Sequence, residues 1–336
     1  MPPIIWRHDA TPDPITILAN GEPGIDTTSN ILKIGNGYTP WSGLPYFTTS
    51  SQRGMFGGGT DTSILNTINY IEIPEKSDAV DFGNLTVARY ALSACSSNIR
   101  GIFGGGSTGS MTNIIDYITL SIFGNAVDFG DLSIALKFKA SCSSSTRGIW
   151  FGGTNDSTNY NVIEYITIST TGNTTDFGDL LGTFIESGGL SSPTRGIIFG
   201  GRGLNAIEYV TITTTGNASD FGDLTKVGQY ASGCASSTRG VIALSFDGSN
   251  NLNVINYITI ATTENATDFG DLSQTRKAPS SCSSQTIGLF AGGYTNVFVN
   301  TIDYITISTV GNANDFADLT NIKAYQGSCS NCHGGL

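Results

Sequence analysis

Six phenylalanines, Phe82, Phe129, Phe177, Phe221, Phe269 and Phe316, divide most of this chain into steps of 47, 48, 44, 48 and 47 residues. Each follows an aspartate, and each precedes a glycine except Phe316, which precedes Ala317. Ahead of each lies a strand-like hexapeptide with a tyrosine third: Ile68-Asn-Tyr-Ile-Glu-Ile73, Ile115-Asp-Tyr-Ile-Thr-Leu120, Ile163-Glu-Tyr-Ile-Thr-Ile168, Ile207-Glu-Tyr-Val-Thr-Ile212, Ile255-Asn-Tyr-Ile-Thr-Ile260 and Ile302-Asp-Tyr-Ile-Thr-Ile307. A fixed period of this size marks a repeat architecture, whose units bury their apolar faces only against neighbouring units. The 336 residues are therefore not to be read as two ordinary domains.

Composition agrees with strands and turns. Only 13% of residues are charged and 43 are glycine, which is poor material for long surface helices. A net charge of −11, with no Lys/Arg cluster to neutralise phosphates, excludes a nucleic-acid partner. No stretch reaches the roughly 18 apolar residues of a membrane span, so membrane insertion is not expected. The first residues, Met1-Pro-Pro-Ile-Ile-Trp-Arg-His8, lack the basic and apolar regions of a secretory signal, which implies synthesis in the cytoplasm. Five of the six cysteines, Cys95, Cys142, Cys234, Cys282 and Cys329, stand ten residues after a repeat leucine, and Leu190 takes the same slot in the fourth copy. A slot open to Cys or Leu reads as a buried apolar position rather than half of a disulfide.

One unit parses into four short strands, the content of a propeller blade. In the copy around Tyr165 these are Phe138–Ser143, Gly148–Gly153, Val162–Ile168 and Asp176–Leu180. The tyrosine strand is apolar on both parities, which fits a sheet sandwiched between two others. A linear β-solenoid would do the same, but its coils are much shorter than this period. The Arg-Gly strand and the tyrosine strand each occur six times and the Cys-slot strand seven, counting a shortened Phe47–Ser51 and a last copy at Ser328–Ser330. A closed ring needs that spare strand. The expected fold is all-β: a six-bladed propeller over residues 45–336, closed by the C-terminal strand, after a small N-terminal β module over residues 1–44.

The glycine doublets Gly58-Gly59, Gly105-Gly106, Gly152-Gly153, Gly200-Gly201 and Gly292-Gly293, each followed by a tyrosine strand and an aromatic, resemble kelch repeats, with Phe in place of the usual Trp and a longer spacing. In the module, Ile15–Leu18 and Asn30–Ile34 read as strands, and Gly21–Gly24 and Gly35–Gly37 as turns. Gly21-Glu-Pro23, Asp26-Thr27, Leu32-Lys-Ile-Gly-Asn-Gly37, Thr39-Pro-Trp41 and Leu44-Pro45 resemble the N-terminal module of bacteriophage tail-fibre and host-attachment proteins, with Asn36 in place of the usual Asp. That resemblance implies a virion protein that joins other virion proteins through residues 1–44; a homo-oligomer is among the assemblies it allows.

Several motifs tempt towards chemistry. The six Asp-Phe-Gly-like triplets lack every companion motif of a kinase; Phe is expected to pack between blades, Gly to permit a turn and Asp to cap backbone amides, although stacked aspartates could also hold a hard cation. Cys329-Ser-Asn-Cys332-His333 spells a haem attachment site, but Cys329 is the repeat cysteine. Gly104–Gly109 has no helix after it to bind phosphate and reads as a strand end. Arg53, Arg100, Arg147, Arg195 and Arg239, with Ile287 in the sixth place, could ring an anion; bonding between blades is the better reading. Only His8 and His333 are present, so no nucleophile–histidine set can be assembled, although paired carboxylates leave glycoside hydrolysis open. No catalytic residue, metal or cofactor is expected, and the protein is not expected to be an enzyme.

What varies between copies is the loop after each glycine doublet: Thr60–Thr67, Ser107–Asn113, Thr154–Asn161, Arg202–Ala206, Phe246–Asn253 and Tyr294–Asn300. By symmetry all six emerge on one face. Their candidate binding residues are Asp61, Asn155, Asp156, Tyr160, Arg202, Asn250, Tyr294 and Asn296, adaptable hydrogen-bonding groups beside aromatic platforms. The expected function is a tail-fibre or adhesin component of the phage particle that binds a host-surface glycan or protein. The alternatives are capsid or baseplate decoration and, third, a polysaccharide depolymerase.

Overall fold

The computed structural model describes residues 7–9, 19–20, 22–26, 31–35, 37–40, 46–47 and 51–336. The expected strand at Ile15–Leu18 and several anchors of the N-terminal resemblance (Gly21, Thr27, Asn36, Trp41, Leu44 and Pro45) lie outside these residues. The chain divides into two compact units, Met1–Ser51 and Gln52–Leu336.

The first unit holds a four-stranded sheet, in order Arg7–Asp9, Pro23–Asp26, Ile31–Ile34 and Tyr46–Phe47, the first pair parallel and the others antiparallel. Two expectations are corrected here. The turn before the second strand comes earlier than Gly21–Gly24: the Glu22 amide donates to the Ala19 carbonyl (2.9 Å), and Pro23 and Gly24 already belong to the strand. Phe47 does not open the first blade, because Phe47 and Tyr46 pair with Leu32 and Lys33.

The second unit is a six-bladed propeller. Blade 2 is representative: inner strand Ser93–Ser96, second strand Arg100–Gly104, third strand Ile114–Thr119 and outer strand Val127–Asp131, antiparallel throughout. Blades 3 to 6 repeat this order. Blade 1 borrows its inner strand from the far end of the chain, where Gly327–Ser330 pairs with Arg53–Gly57. The third strand is buried on both sides. In blade 2, Ile115 packs with Trp150 and Ile166 of blade 3, while Ile118 packs with Met55 and Phe82 of blade 1.

Each part of the repeat is explained by a contact with the next blade. The Arg-Gly glycines lie under the neighbouring cysteine: a Cβ on Gly54, Gly148 or Gly196 would sit 2.5 Å from the sulfur of Cys282, Cys95 or Cys142, and Leu190 fills the same space over Gly240. The repeat arginines reach across to carbonyls, as Arg100 Nη1 to Ile168 O (3.0 Å) and Arg147 Nη1 to Ile212 O (2.9 Å), while their guanidinium groups lie over the tyrosine of their own blade at 4.5–5.2 Å. In blade 6, where Ile287 replaces arginine, Lys76 of blade 1 covers Tyr304 instead, at 5.4 Å.

The register between third and outer strands shifts once in every blade, and the residue skipped is the repeat phenylalanine: in blade 2, Ile115 faces Gly130 and Asp116 faces Asp128. This β-bulge turns Phe129 into the inter-blade core, edge-on to Tyr117 at 5.9 Å. The capping expected of the repeat aspartate falls to a different residue. Asp128 is exposed, and the asparagine of the following turn does the work: Asn173 Oδ1 accepts from Asp131 N (3.0 Å) across the blade boundary. Asn125, Asn217, Asn265 and Asn312 do the same, and Asp78 accepts from Asp318 in blade 1. The outer-strand glycine is needed because a Cβ on Gly83 would strike the Gly124 carbonyl.

Adding a methyl group at the Arg-Gly glycine forces sulfur or backbone to move, so Gly148→Ala should lower unfolding free energy by about 1–3 kcal/mol in urea denaturation.

A second position of the third strand is charged and buried. Asp116 pairs with Arg89 and Asp303 with Arg276, each at 3.0 Å, and Glu164 with Lys139 at 2.9 Å. In blade 4 Glu208 accepts from Leu181 N instead, and in blade 5 Asn256 accepts from Thr225; blade 1 has a cation without a carboxylate. Lys323 occupies the cation's place and donates to Phe56 O (3.2 Å), but Asn69 stands where the carboxylate would be, with both polar side-chain atoms unpartnered. Burial, only partly offset by Asp81, lowers the Lys323 pKa to about 7. The unfolded chain then binds one more proton than the folded chain between pH 7 and the ordinary lysine range, so stability rises with pH across that window and is flat below it. Asn69→Asp should raise stability at pH 7 by about 1.5–3 kcal/mol, the worth of a hydrogen bond to a charged group, and flatten the rise between pH 7 and 9. Urea midpoints of both proteins across that range check this.

Candidate functional site

The inner strands line a central channel. Serine hydroxyls at their last position step from blade to blade: Ser143 to Ser96 O (2.8 Å), Ser96 to Ser330 O (2.7 Å), Ser330 to Ser283 O (2.6 Å), Ser283 to Ala235 O (2.9 Å) and Ser191 to Ser143 O (2.7 Å). The circuit is open only at Ala235, which has no hydroxyl to reach Ser191.

One end of the channel is occupied by the chain itself. His333 lies half-buried there, with Nε2 3.3 Å from Ser96 O and 3.2 Å from Ser143 Oγ, while its carbonyl accepts from Gln285 (2.8 Å). The Gly335 amide donates to Nδ1 (3.0 Å), which places the ring proton on Nε2. Burial lowers the His333 pKa to about 4. The residues that spelled a haem motif therefore have structural places: Cys329 packs on Gly101, Cys332 lies beside Ser283 O, and His333 lines the end of the channel. Among the described residues, no group of three or more His, Cys, Asp or Glu is placed to hold a metal ion.

The opposite end carries the variable loops. They share a face with the linkers from each outer strand to the next inner strand, through bridges such as Tyr90 with Ser107, Lys137 with Thr154 and Lys277 with Tyr294. Each linker places one non-glycine residue in the left-handed region, at φ between 53° and 59°: Ala91, Phe138, Glu186, Tyr230, Ala278 and Tyr325. Phe138, expected to begin an inner strand, is one of these; its strand starts at Ala140. Backbone bonds link neighbours among the six, Ala91 to Tyr325 O (2.8 Å), Phe138 to Ala91 O (2.9 Å), Tyr325 to Ala278 O (3.3 Å) and Tyr230 to Glu186 O (2.6 Å).

Over the mouth, aromatics from alternate blades meet edge to face. Ring centroids lie 5.6 Å apart for Phe138 and Tyr230, 5.4 Å for Tyr230 and Tyr325, and 6.0 Å for Phe138 and Tyr325. Tyr90 and Phe246 extend the cluster, at 6.5 Å from Tyr325 and 6.4 Å from Tyr230. Glu186, in the gap, is buried; it forms an ion pair with Arg202 and accepts from the Tyr230 hydroxyl (3.0 Å). Burial first, then the Glu186 charge, pushes the Tyr230 phenol above its ordinary range.

The eight candidate residues all lie on this face, but only Arg202 joins the central cluster. Asp61 and Asn155 fold their own loops, accepting from Ser63 N (2.7 Å) and from Thr158 N (2.8 Å), and Asn155 also donates to the Tyr160 hydroxyl (3.2 Å). Asp156 pairs with Lys137 (2.9 Å), and the Asn250 amide caps Asp247 (2.7 Å). Tyr294 stacks edge-on with Phe298 at 5.1 Å, and its carbonyl accepts from Asn251 of the neighbouring loop (3.2 Å). Asn296 stands exposed at a loop tip with φ 121°. Reading the loops alone missed Phe138, Glu186, Tyr230 and Tyr325. The available signal was their common position, six residues after the repeat leucine.

The sequence matches no family model and no curated protein.

Because His333 is neutral in the channel, the unfolded chain binds more protons between pH 4 and 6.5, and stability falls as pH drops through that window, by at most about 1.4 kcal/mol per pH unit. Thermal unfolding from pH 7 to 4.5 should show a component of this slope that His333→Gln removes.

Proposed function

We propose that this protein is a non-enzymatic component of a bacteriophage particle that binds the host cell surface through the loop face of its propeller, with the N-terminal unit joining it to other virion proteins. The observation that carries the proposal is the convergence, on one end of a closed rigid ring, of six dissimilar polar loops around an aromatic centre. Rigid display lowers the entropy lost on binding. Short polar side chains beside tyrosines supply adaptable hydrogen bonds and large contact area at small rotamer cost. The phage-like pattern over residues 21–45 supports the virion assignment.

The acids on this face are engaged by their own neighbours, which favours binding over glycoside hydrolysis, where a pair of carboxyl groups must flank the sugar bond. Glu186 is engaged by Arg202 and Tyr230, and Asp156 by Lys137. Backbone amides hold Asp61 and Asp247 below the usual carboxylate range, with Ser63 the main donor to the first and Asn250 to the second.

The full chain should bind intact cells and envelope preparations of the bacterium its particle infects, saturably and without releasing sugar. Failure to bind, together with normal adsorption of particles lacking residues 52–336, would make the ring a decoration. Sugar release lost on changing two acids would make it a depolymerase.

A further inference from the structure

We propose that the aromatic mouth of the channel, rather than the loop tips, is the specificity site, and that it takes the terminal unit of a neutral saccharide; this rests on the host-surface reading above. The backbone is the first argument. A left-handed conformation costs a non-glycine residue about 1 kcal/mol or more. This chain uses glycine at positive φ in its doublets and outer strands, yet none of the six mouth positions is glycine. Three of them carry the rings that meet over the channel and a fourth carries Glu186. At these four the side chain is one that glycine would not supply, while Ala91 and Ala278 bear the same angle with a methyl group.

The chemistry of the mouth narrows the ligand. Stacked rings offer faces and edges to the C–H surfaces of a sugar. Arg202, 61% exposed, gives Nε and one terminal nitrogen to Glu186 beside the Tyr230 hydroxyl, and the exposed side of its guanidinium faces a ligand hydroxyl. A cationic ligand meets competition, since Lys137 already stands 5.4 Å from the Phe138 ring centroid and Lys277 lies 5.4 Å and 5.2 Å from those of Phe246 and Tyr294. An anionic ligand meets an arginine already neutralised by Glu186, on a chain of net charge −11. A purely apolar ligand would leave polar lining unpaired.

That lining is the independent observation. A cavity of about 80 Å³ opens beside the rings and continues into one of about 120 Å³ that shares Leu92, Ser187, Ala231, Pro279, Gln326 and Lys139 with it, the lysine already paired with Glu164. The Ser93 and Ser232 hydroxyls and Gln326 Oε1 border the deeper cavity, more than nine-tenths buried and without partners. One water needs about 10–15 Å³ of such space, so these cavities have room for a hydroxymethyl or acetamido arm while the sugar ring lies on the aromatics.

The test uses the full-length protein and the neutral oligosaccharide fraction released from the host envelope, with binding measured by calorimetry. Alanine is already accommodated at this backbone position, as Ala91 (φ 54°) and Ala278 (φ 55°), so Phe138→Ala and Tyr325→Ala should fold; unchanged melting temperatures check that. Each of these, and Arg202→Gln, should weaken Kd at least tenfold, whereas the loop-tip changes Asn250→Ala and Asn296→Gly should alter it less than twofold. Saccharide binding that survives the mouth variants, or is lost with the tip variants, overturns the proposal. Binding to host cells without binding to the oligosaccharide fraction also overturns it and leaves the host-surface reading standing. Binding to neither removes both.

Discussion

Everything in the ring depends on one steric bargain: a sulfur from one blade rests on bare backbone of the next. Gly54, Gly148 and Gly196 have no room for a Cβ because Cys282, Cys95 and Cys142 occupy it. Close approach there brings the inner strands near enough for serine hydroxyls to reach neighbouring carbonyls, and sets the distance over which each arginine spans to the next blade. The outer rim is fixed by the same logic with different atoms, an asparagine amide oxygen meeting a strand N–H and a glycine lying under a turn carbonyl. Inner and outer contacts together fix the wedge between successive sheets, and six equal wedges close a circle.

The internal repeats also reveal how variation is tolerated. Where one contact is lost, a neighbour compensates in kind: Leu190 fills the cysteine slot, Lys76 covers the tyrosine that Ile287 leaves bare, and Asp78 replaces the turn asparagine. In blade 6 the outer-strand glycine becomes Ala317, opposite a blade 1 turn that carries Ser77 in the glycine's place. Lys323 is the exception, a buried cation with Asn69 at the strand position where blades 2, 3 and 6 have a carboxylate.

The blade was legible because its contacts recur. A position occupied by Cys five times and Leu once is buried whatever its neighbours are, and arginines spaced with the repeat point to a shared partner. Pairing across long sequence distance was less legible. Phe47 has a strand former's chemistry, and nothing local to it says that it joins Ile31–Ile34 while Gly327–Ser330 takes the first blade's inner place. Asp128 and Asn173 are equally good capping residues, and only the bulge at Phe129 leaves the asparagine facing the free amide. The mouth was least legible. Ala, Phe, Glu, Tyr, Ala and Tyr share no side-chain property; they share a backbone angle, and the usual signature of that angle is glycine.

The closing strand has a mechanical meaning. The chain enters the ring at Gln52 and passes directly into Arg53–Gly57, which is hydrogen-bonded on one side to Gly327–Ser330 and on the other to Thr67–Glu72. Tension applied at Gln52 therefore acts on a strand held on both edges. Two ladders of hydrogen bonds must give way before that strand leaves the ring. A tether entering at an outer strand, such as Val80–Asn84, would instead peel the sheet open from its edge. Joining the two ends of the ring in one blade makes its first strand the part of the ring best placed to bear force.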